Sequence, residues 1–208
     1  QMKFGQRQLN VVTAFAMTSI SRELWEDSPD LLASQLTGWL SATMAAQIDK
    51  YGLQGHTGGR PVGILNTPGI DSTNSIGGID WTDVAAAVTS IRNANHEPNA
   101  VIVNPTIHDD LFNIPTGDGT NSARGWLEPP PTIRDKQYLH TTNCPLEQAV
   151  VGDFTKYLMG LRTGFQIETT TAAGEAFARH QVWIKATQRF DFTTLDDTAF
   201  HNLSGITS

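Results

Sequence analysis

The sequence has 208 residues, 39% of them hydrophobic and 17% charged, a composition typical of a globular protein with a sizeable core. Its net charge of −7 argues against nucleic-acid binding as the main activity, because neutralising phosphates requires clustered Lys and Arg. The single cysteine, Cys144, excludes an intrachain disulfide framework and a multi-cysteine zinc site, and no apolar run is long enough to suggest a membrane span.

The first 24 residues are predicted to be extended, and residues 25–52 carry the strongest helix pattern in the chain. Asp27 and Ser28 are suitable capping residues, and Pro29 is favourable at the first helical position. We expect Gly52 to end this helix in the left-handed conformation, after about 33 Å. The apolar stripe that indicates the helix contains Leu32, Leu36, Trp39, Leu40, Met44, Ile48 and Tyr51.

A glycine-rich segment, 53–78, is predicted to form turns at a domain boundary. Residues 80–93 are predicted to form a second helix, capped by Asp80 or Thr82. A buried strand at 100–103 and a short helix at 105–113 follow. This alternation predicts an α/β region with a central sheet. Residues 114–145 are predicted to be one long loop, which in a compact domain is usually functional or interfacial.

The C-terminal part of the chain is predicted to be mainly β-strand. Strands are expected around Gly152-Asp153-Phe154 and at 165–171. Residues 177–193 alternate between a polar and an apolar face, which predicts a long, half-exposed antiparallel strand. Its apolar face, which we expect to pack on the long helix, contains Val182, Ile184, Ala186, Phe190 and Phe192.

Few residues are candidates for catalysis or metal binding. His108-Asp109-Asp110 lies on a predicted helix, where adjacent side chains point about 100° apart, so one ion would need a further ligand from a separate segment. The Gly-Asp-Gly-Thr run at 117–120 lacks the lysine and the strand-to-helix context of a phosphate-binding loop. Cys144 follows His140 by four residues, but no neighbouring group orients a base, so a structural cysteine is the preferred interpretation.

Two further features are interpreted as structural. Asp196 and Asp197 are most simply an exposed turn, and the five tryptophans are too widely spread to form a stacking platform for bases. The residues therefore predict no catalytic, cofactor-binding or metal-binding site, and no cofactor.

Several short signatures occur in a fixed order along nearly the whole chain. Each is weak alone, but their order is similar to that of the major capsid proteins of tailed bacteriophages, which have the Hong Kong 97-type fold. The signatures are SREL at 21–24, DSP at 27–29, RPVGIL at 60–65, the Trp81 helix followed by VIVNP at 101–105, WLEPP at 126–130, GDF at 152–154, RFD at 189–191 and AF at 199–200.

The resemblance implies an α+β fold with two domains and an extended loop. Residues 1–20 would be part of the loop that overlaps a neighbouring subunit. Residues 21–56 and 164–208 would form a peripheral domain, made of the long spine helix and long antiparallel strands. Residues 57–163 would form an axial α/β domain with a central sheet.

The implied function is that of a major capsid protein, not an enzyme, which self-assembles into the icosahedral shell of a tailed phage or prophage. The partners would be copies of itself in pentamers and hexamers, with scaffold, maturation protease and portal proteins, non-specifically contacted DNA and no membrane. The chain would be made in the bacterial cytoplasm and reside in the virion capsid. The alternatives are an encapsulin-like compartment shell and an uncharacterised α/β enzyme.

Two more expectations follow from the resemblance. The family builds its overlapping loop from two strands, whereas the residues before Pro29 suffice for one, so we expect these 208 residues alone to be monomeric or a small oligomer. Some members join subunits by an isopeptide bond between a lysine and an asparagine, with a glutamate as base. Alignment places Gln6, His180 and Thr187 at these positions, with Lys3 near the first, which implies a non-covalent shell.

Overall fold

The structure, a computed structural model, describes residues 7–56, 58, 60–74, 76–114, 127–172 and 174–207. Their helices are α1 (Arg22–Asp27), α2 (Pro29–Gln54), α3 (Trp81–Asn93) and α4 (Pro105–Phe112). Their strands are β1 (Val12–Ser21), β2 (Asp71–Thr73), β3 (Ala100–Val103), β4 (Gln137–His140), β5 (Gln148–Gly152), β6 (Tyr157–Thr170), β7 (Gln181–Thr194) and β8 (Phe200–Ser204). The predicted α+β class is confirmed.

The strands form two sheets. One is an antiparallel three-stranded sheet in the order β1-β7-β6, and the other is a mixed five-stranded sheet in the order β2-β8-β5-β3-β4. In the larger sheet β2 runs parallel to β8, and β4 runs parallel to β3. Helix α2 packs on the smaller sheet and α3 on the larger one.

Helix α2 and the three-stranded sheet share one core. Leu36, Leu40 and Met44 recur every fourth residue along α2 and are buried against Val182 and Ile184 of β7. Burying such side chains is worth roughly 1.5–3 kcal/mol each, which holds α2 to the sheet. The predicted packing of the helix stripe on the apolar face of this strand is therefore confirmed.

A second core lies between α3 and the five-stranded sheet. The buried face of α3 packs against Val101, Val151 and Leu203 of the sheet. The Trp81 ring meets Phe112 and Tyr138 edge to face, at centroid distances of 5.0 and 5.7 Å. The residues of α3 on this face are Trp81, Val84, Ala87, Val88 and Ile91.

Helix α3 begins with a capping box. The Asp80 carboxylate accepts hydrogen bonds from the amides of Thr82 and Asp83, at 2.7 and 3.2 Å. In return, the Asp83 carboxylate accepts from the Asp80 amide at 3.0 Å. Of the two caps that the sequence left open, Asp80 is the one used.

We expect Asp80→Ala to lower the free energy of unfolding by about 1 kcal/mol at neutral pH, because it removes this cap. The hydrogen bond from Thr82 lowers the pKa of the Asp80 carboxyl. The charged carboxylate therefore contributes its full stabilisation above the pKa that it has in the unfolded state. This stabilisation is lost as the pH falls through the lower pKa of the folded state. Urea unfolding of the variant at neutral and acidic pH measures this, with Asp80→Asn as the neutral capping control. A difference that stays constant into acid would contradict the prediction.

The ends of the helical region differ from the prediction. Residues 22–24, expected to be extended, belong to α1, which the Ser21 hydroxyl caps by accepting from the Leu24 amide at 3.4 Å. Helix α2 has 26 residues and runs past Gly52, which is not its left-handed cap. Gly52 instead lies where a Cβ atom would be 3.3 Å from the Phe192 ring, so the glycine permits close approach of β7.

Several strands were missed or assigned to the wrong part of the chain. β2 lies in the predicted turn segment, and β4 lies in the predicted long loop. The strand expected at 177–193 begins only at Gln181, after a turn. Residues 115–126, which include the Gly-Asp-Gly-Thr run and Trp126, lie outside the described residues.

The pairing of the strands does not follow the predicted domain bounds, which remain a prediction. Residues 12–20, assigned to an extended loop, pair with β7 along their whole length and contribute to the α2 core. The bound at 163/164 falls inside β6. β8, expected in the peripheral domain, lies between β2 and β5 in the other sheet. Local periodicity identifies a strand but not its hydrogen-bonding partners, so the sequence did not predict this pairing.

Candidate functional site

The structure brings together two histidines that the sequence singled out in separate segments. His108 of α4 and His140 of β4 have ring centroids 5.0 Å apart. Asp109 Oδ1 lies 3.7 Å from His108 Nδ1, while Asp110 is exposed one residue further along α4. No group of three or more His, Cys, Asp or Glu residues that could hold a metal ion occurs in the described ranges.

Cys144 does not form a nucleophilic site with His140. Its buried Sγ lies 3.2 Å from the carbonyl oxygen of Gln148, to which the thiol donates. Burial raises the pKa of the Cys144 thiol to about 12, so it is neutral and unreactive at physiological pH. The structural interpretation of this cysteine is supported.

Asp196 and Asp197 are not a simple exposed turn. Asp196 accepts a hydrogen bond from the Thr198 amide at 3.0 Å and pairs with His96, at the end of α3, at 3.1 Å. Asp197 pairs with Arg7 at 2.6 Å. The hydrogen bonds from Thr198 lower the pKa of the Asp196 carboxyl. The two carboxylates therefore tie the N-terminal segment and α3 to the connection between β7 and β8.

The aligned cross-linking positions fall in two different settings. His180 lies in the turn before β7 with a positive φ of 52°, and its carbonyl accepts from the Arg22 amide at 3.0 Å. Thr187 lies in the middle of β7 and is half-buried. Gln6 and Lys3 lie outside the described residues.

Several of the most exposed large apolar side chains lie on the three-stranded sheet, on its helix and in the turn before β7. On β1 the inward residues Ala14, Ala16 and Ile20 pack on the core, whereas outward-facing Phe15 and Met17 are 67% and 52% exposed. Trp39 of α2 is 68% exposed, and Phe177 in the turn before β7 is 85% exposed. Phe15 and Met17 are neighbours on one face of β1, and contiguous exposed apolar side chains mark sites of contact with other molecules.

Two open grooves adjoin the same elements. One, of about 420 Å³, lies between β1 and α2, with Ala14, Met44 and Phe190 among its lining residues. The other, of about 350 Å³, lies where the two sheets meet and includes Ile48 and Met159 in its lining. Within the described part of the chain, no helix is long and apolar enough to cross a membrane.

The model of the phage capsid family matches residues 1–205. The chain belongs to the phage capsid family. A search of curated proteins finds no match to this capsid protein.

Solved structures show the same fold at low sequence identity. A chain from Mycobacterium phage Adephagia superposes with a TM-score of 0.76 at 12% identity, covering 96% of this chain and 73% of that one. A chain from the capsid of an empty GTA particle gives 0.73 at 16% identity, covering 96% and 74%. A chain from the capsid of Myoviridae phage XM1 gives 0.68 at 12% identity, covering 95% and 74%.

These matches confirm the resemblance read from the ordered signatures. This phage capsid protein is a structural protein of a viral shell, in which it assembles with copies of itself in the virion capsid. The encapsulin-like compartment shell and the α/β enzyme receive no support from the comparisons. The exposed apolar surfaces, rather than a catalytic pocket, are therefore the candidate functional sites of the molecule.

Proposed function

We propose that this protein builds the icosahedral shell of a tailed phage or prophage from pentamers and hexamers, and that β1 is a main contact between subunits. The observation that carries the proposal is the exposure of Phe15 and Met17 on an edge strand whose outer side has no strand partner among the described residues. An unpaired edge beside exposed apolar side chains is a surface suited to another chain.

The two edges of the sheet differ in how open they are to pairing. β1 pairs with β7 in an unbroken register from Val12 to Ser21. β6, at the opposite edge, has register shifts between Leu161 and Thr163 and between Thr163 and Gln166. Such bulges twist an edge and hinder further pairing. β1 is therefore the edge that accepts a neighbouring subunit.

The remaining assignments belong to the same proposal. The peripheral domain comprises the three-stranded sheet with α1 and α2, and the axial domain comprises the five-stranded sheet with α3 and α4. Scaffold, maturation protease and portal proteins assist assembly in the bacterial cytoplasm, and packaged DNA is contacted without sequence specificity. The protein has no enzymatic activity, because its function rests on surface complementarity.

Replacement of both Phe15 and Met17 by serine tests the proposal. We expect the subunit to keep its stability, because both side chains are exposed, while the yield of shell particles in the phage host falls at least about tenfold. Thr13→Ser, on the same face of β1, is the matched control and should assemble normally. A normal yield of particles from the double variant would contradict the role given to β1.

We also predict that the shell is held by non-covalent contacts only. The imidazole of His180 offers no acyl group for an amine to attack, and the hydroxyl of Thr187 is a poor base for activating one. Mature particles boiled in denaturant should therefore run as a single monomer band. Reductant must be present, or Cys144→Ser used, because unfolding exposes that thiol. A ladder of covalent oligomers under these conditions would show that the prediction is wrong.

A further inference from the structure

Two imidazoles carried by regular elements lie next to each other in the structure. His108 lies within α4, and His140 is the last residue of β4. Their rings are 5.0 Å apart between centroids, with planes tilted by 53°. Because α4 packs against β4, the separation is fixed by the fold.

This separation is suited to a shared metal ion. Imidazole nitrogens bind Zn²⁺ at about 2.0–2.1 Å, which puts each ring centroid about 3.2 Å from the metal. Two such rings have centroids about 5.2 Å apart at the tetrahedral angle and about 4.5 Å apart at a right angle. The observed 5.0 Å falls between these values. The separation of the rings is therefore compatible with both imidazoles binding one ion.

The surroundings of His108 favour a ligand role. Phe112 stacks on its ring at 4.5 Å, which restricts rotation of the imidazole. The Asp109 carboxylate lies 3.7 Å from Nδ1 and adds a negative charge beside the ring. The His108 side chain is 25% exposed and His140 is exposed, so an ion reaches both from solvent.

We propose that His108 and His140 form a binding site for a transition-metal ion that prefers imidazole, namely Zn²⁺, Ni²⁺ or Cu²⁺. Mg²⁺ and Ca²⁺ prefer oxygen ligands and are excluded by this donor set. The described residues supply no larger cluster, so water or a group from another molecule completes the coordination. The ion would link α4 to β4, an edge strand that pairs only with β3 in the described sheet.

Calorimetric titration of the untagged full chain tests the site. At neutral pH we expect one Zn²⁺, Ni²⁺ or Cu²⁺ per chain and no binding of Mg²⁺. His108→Ala and His140→Ala should each weaken binding at least about tenfold. The matched control is His180→Ala, which removes an exposed histidine from the turn before β7 and should leave binding unchanged.

The absence of metal binding would overturn the proposal. Equal losses of binding in all three variants would also overturn it, because they would indicate general adsorption to surface histidines. His140 is exposed, so His140→Ala keeps the test valid even if His108→Ala disturbs α4 through Phe112. Melting curves recorded without metal check that each variant is folded. Particle yield, scored separately, tests the shell function, so failure of the metal site leaves that function standing.

Discussion

Gly55→Ala is expected to prevent folding or to lower the free energy of unfolding by on the order of 4–5 kcal/mol. A Cβ atom at this position would lie 2.1 Å from the Pro61 carbonyl oxygen and 2.5 Å from that of Tyr51. Both obstacles are backbone atoms at the point where the chain leaves α2 and crosses its end. The φ of Gly55 is −49°, so the reason is lack of space and not an unusual conformation.

The crossing involves a second glycine. The Gly63 amide donates to the Gly55 carbonyl at 2.9 Å, and a Cβ atom on Gly63 would lie 2.5 Å from the Gly55 nitrogen. Gly63→Ala should therefore be similarly harmful. The control is Gly38→Ala on the exposed side of α2, where nothing lies within 4 Å. That change should stabilise the protein by up to about 1 kcal/mol. Soluble yield and urea unfolding followed by circular dichroism measure all three, and an unchanged midpoint for Gly55→Ala would refute the packing described.

Leu36→Ala is expected to lower the free energy of unfolding by about 2–5 kcal/mol. Leu36 is buried between α2 and the three-stranded sheet, and its removal leaves a cavity against Val182 and Ile184. Leu31→Ala, on the same helix but 60% exposed, should change stability by no more than about 0.5 kcal/mol. Similar unfolding midpoints for the two variants would mean that α2 does not pack on the sheet through this stripe.

The sequence predicts those elements whose signals are local. Helix α3 was predicted from its spacing and from the capping residue Asp80, and the strand at Ala100–Val103 from its apolar run. The placement of β8 between β2 and β5 was not predicted, because partners in a sheet are far apart in sequence. Helix α2 continues past Gly52, which lies against the Phe192 ring, a contact that no local pattern encodes.

The candidate sites were harder to predict than the fold. Trp39 belongs to the apolar stripe that indicated α2, yet its side chain is exposed. The three-stranded sheet is narrow and covers only the part of the stripe that contains Leu36, Leu40 and Met44. The period-2 pattern of β1 contains Phe15, but alternation alone does not say which face is left uncovered. The sequence marked His108 and His140 separately, and only the pairing of β3 with β4 beside α4 brings them together.

Electron cryomicroscopy of particles assembled from the complete protein tests the central claim most directly. We expect an icosahedral shell of copies of this chain in pentamers and hexamers. In each copy, Phe15 and Met17 should be covered by a neighbouring subunit without covalent density between them. A shell that leaves this face of β1 open to solvent, or particles whose shell does not contain this chain, would contradict it.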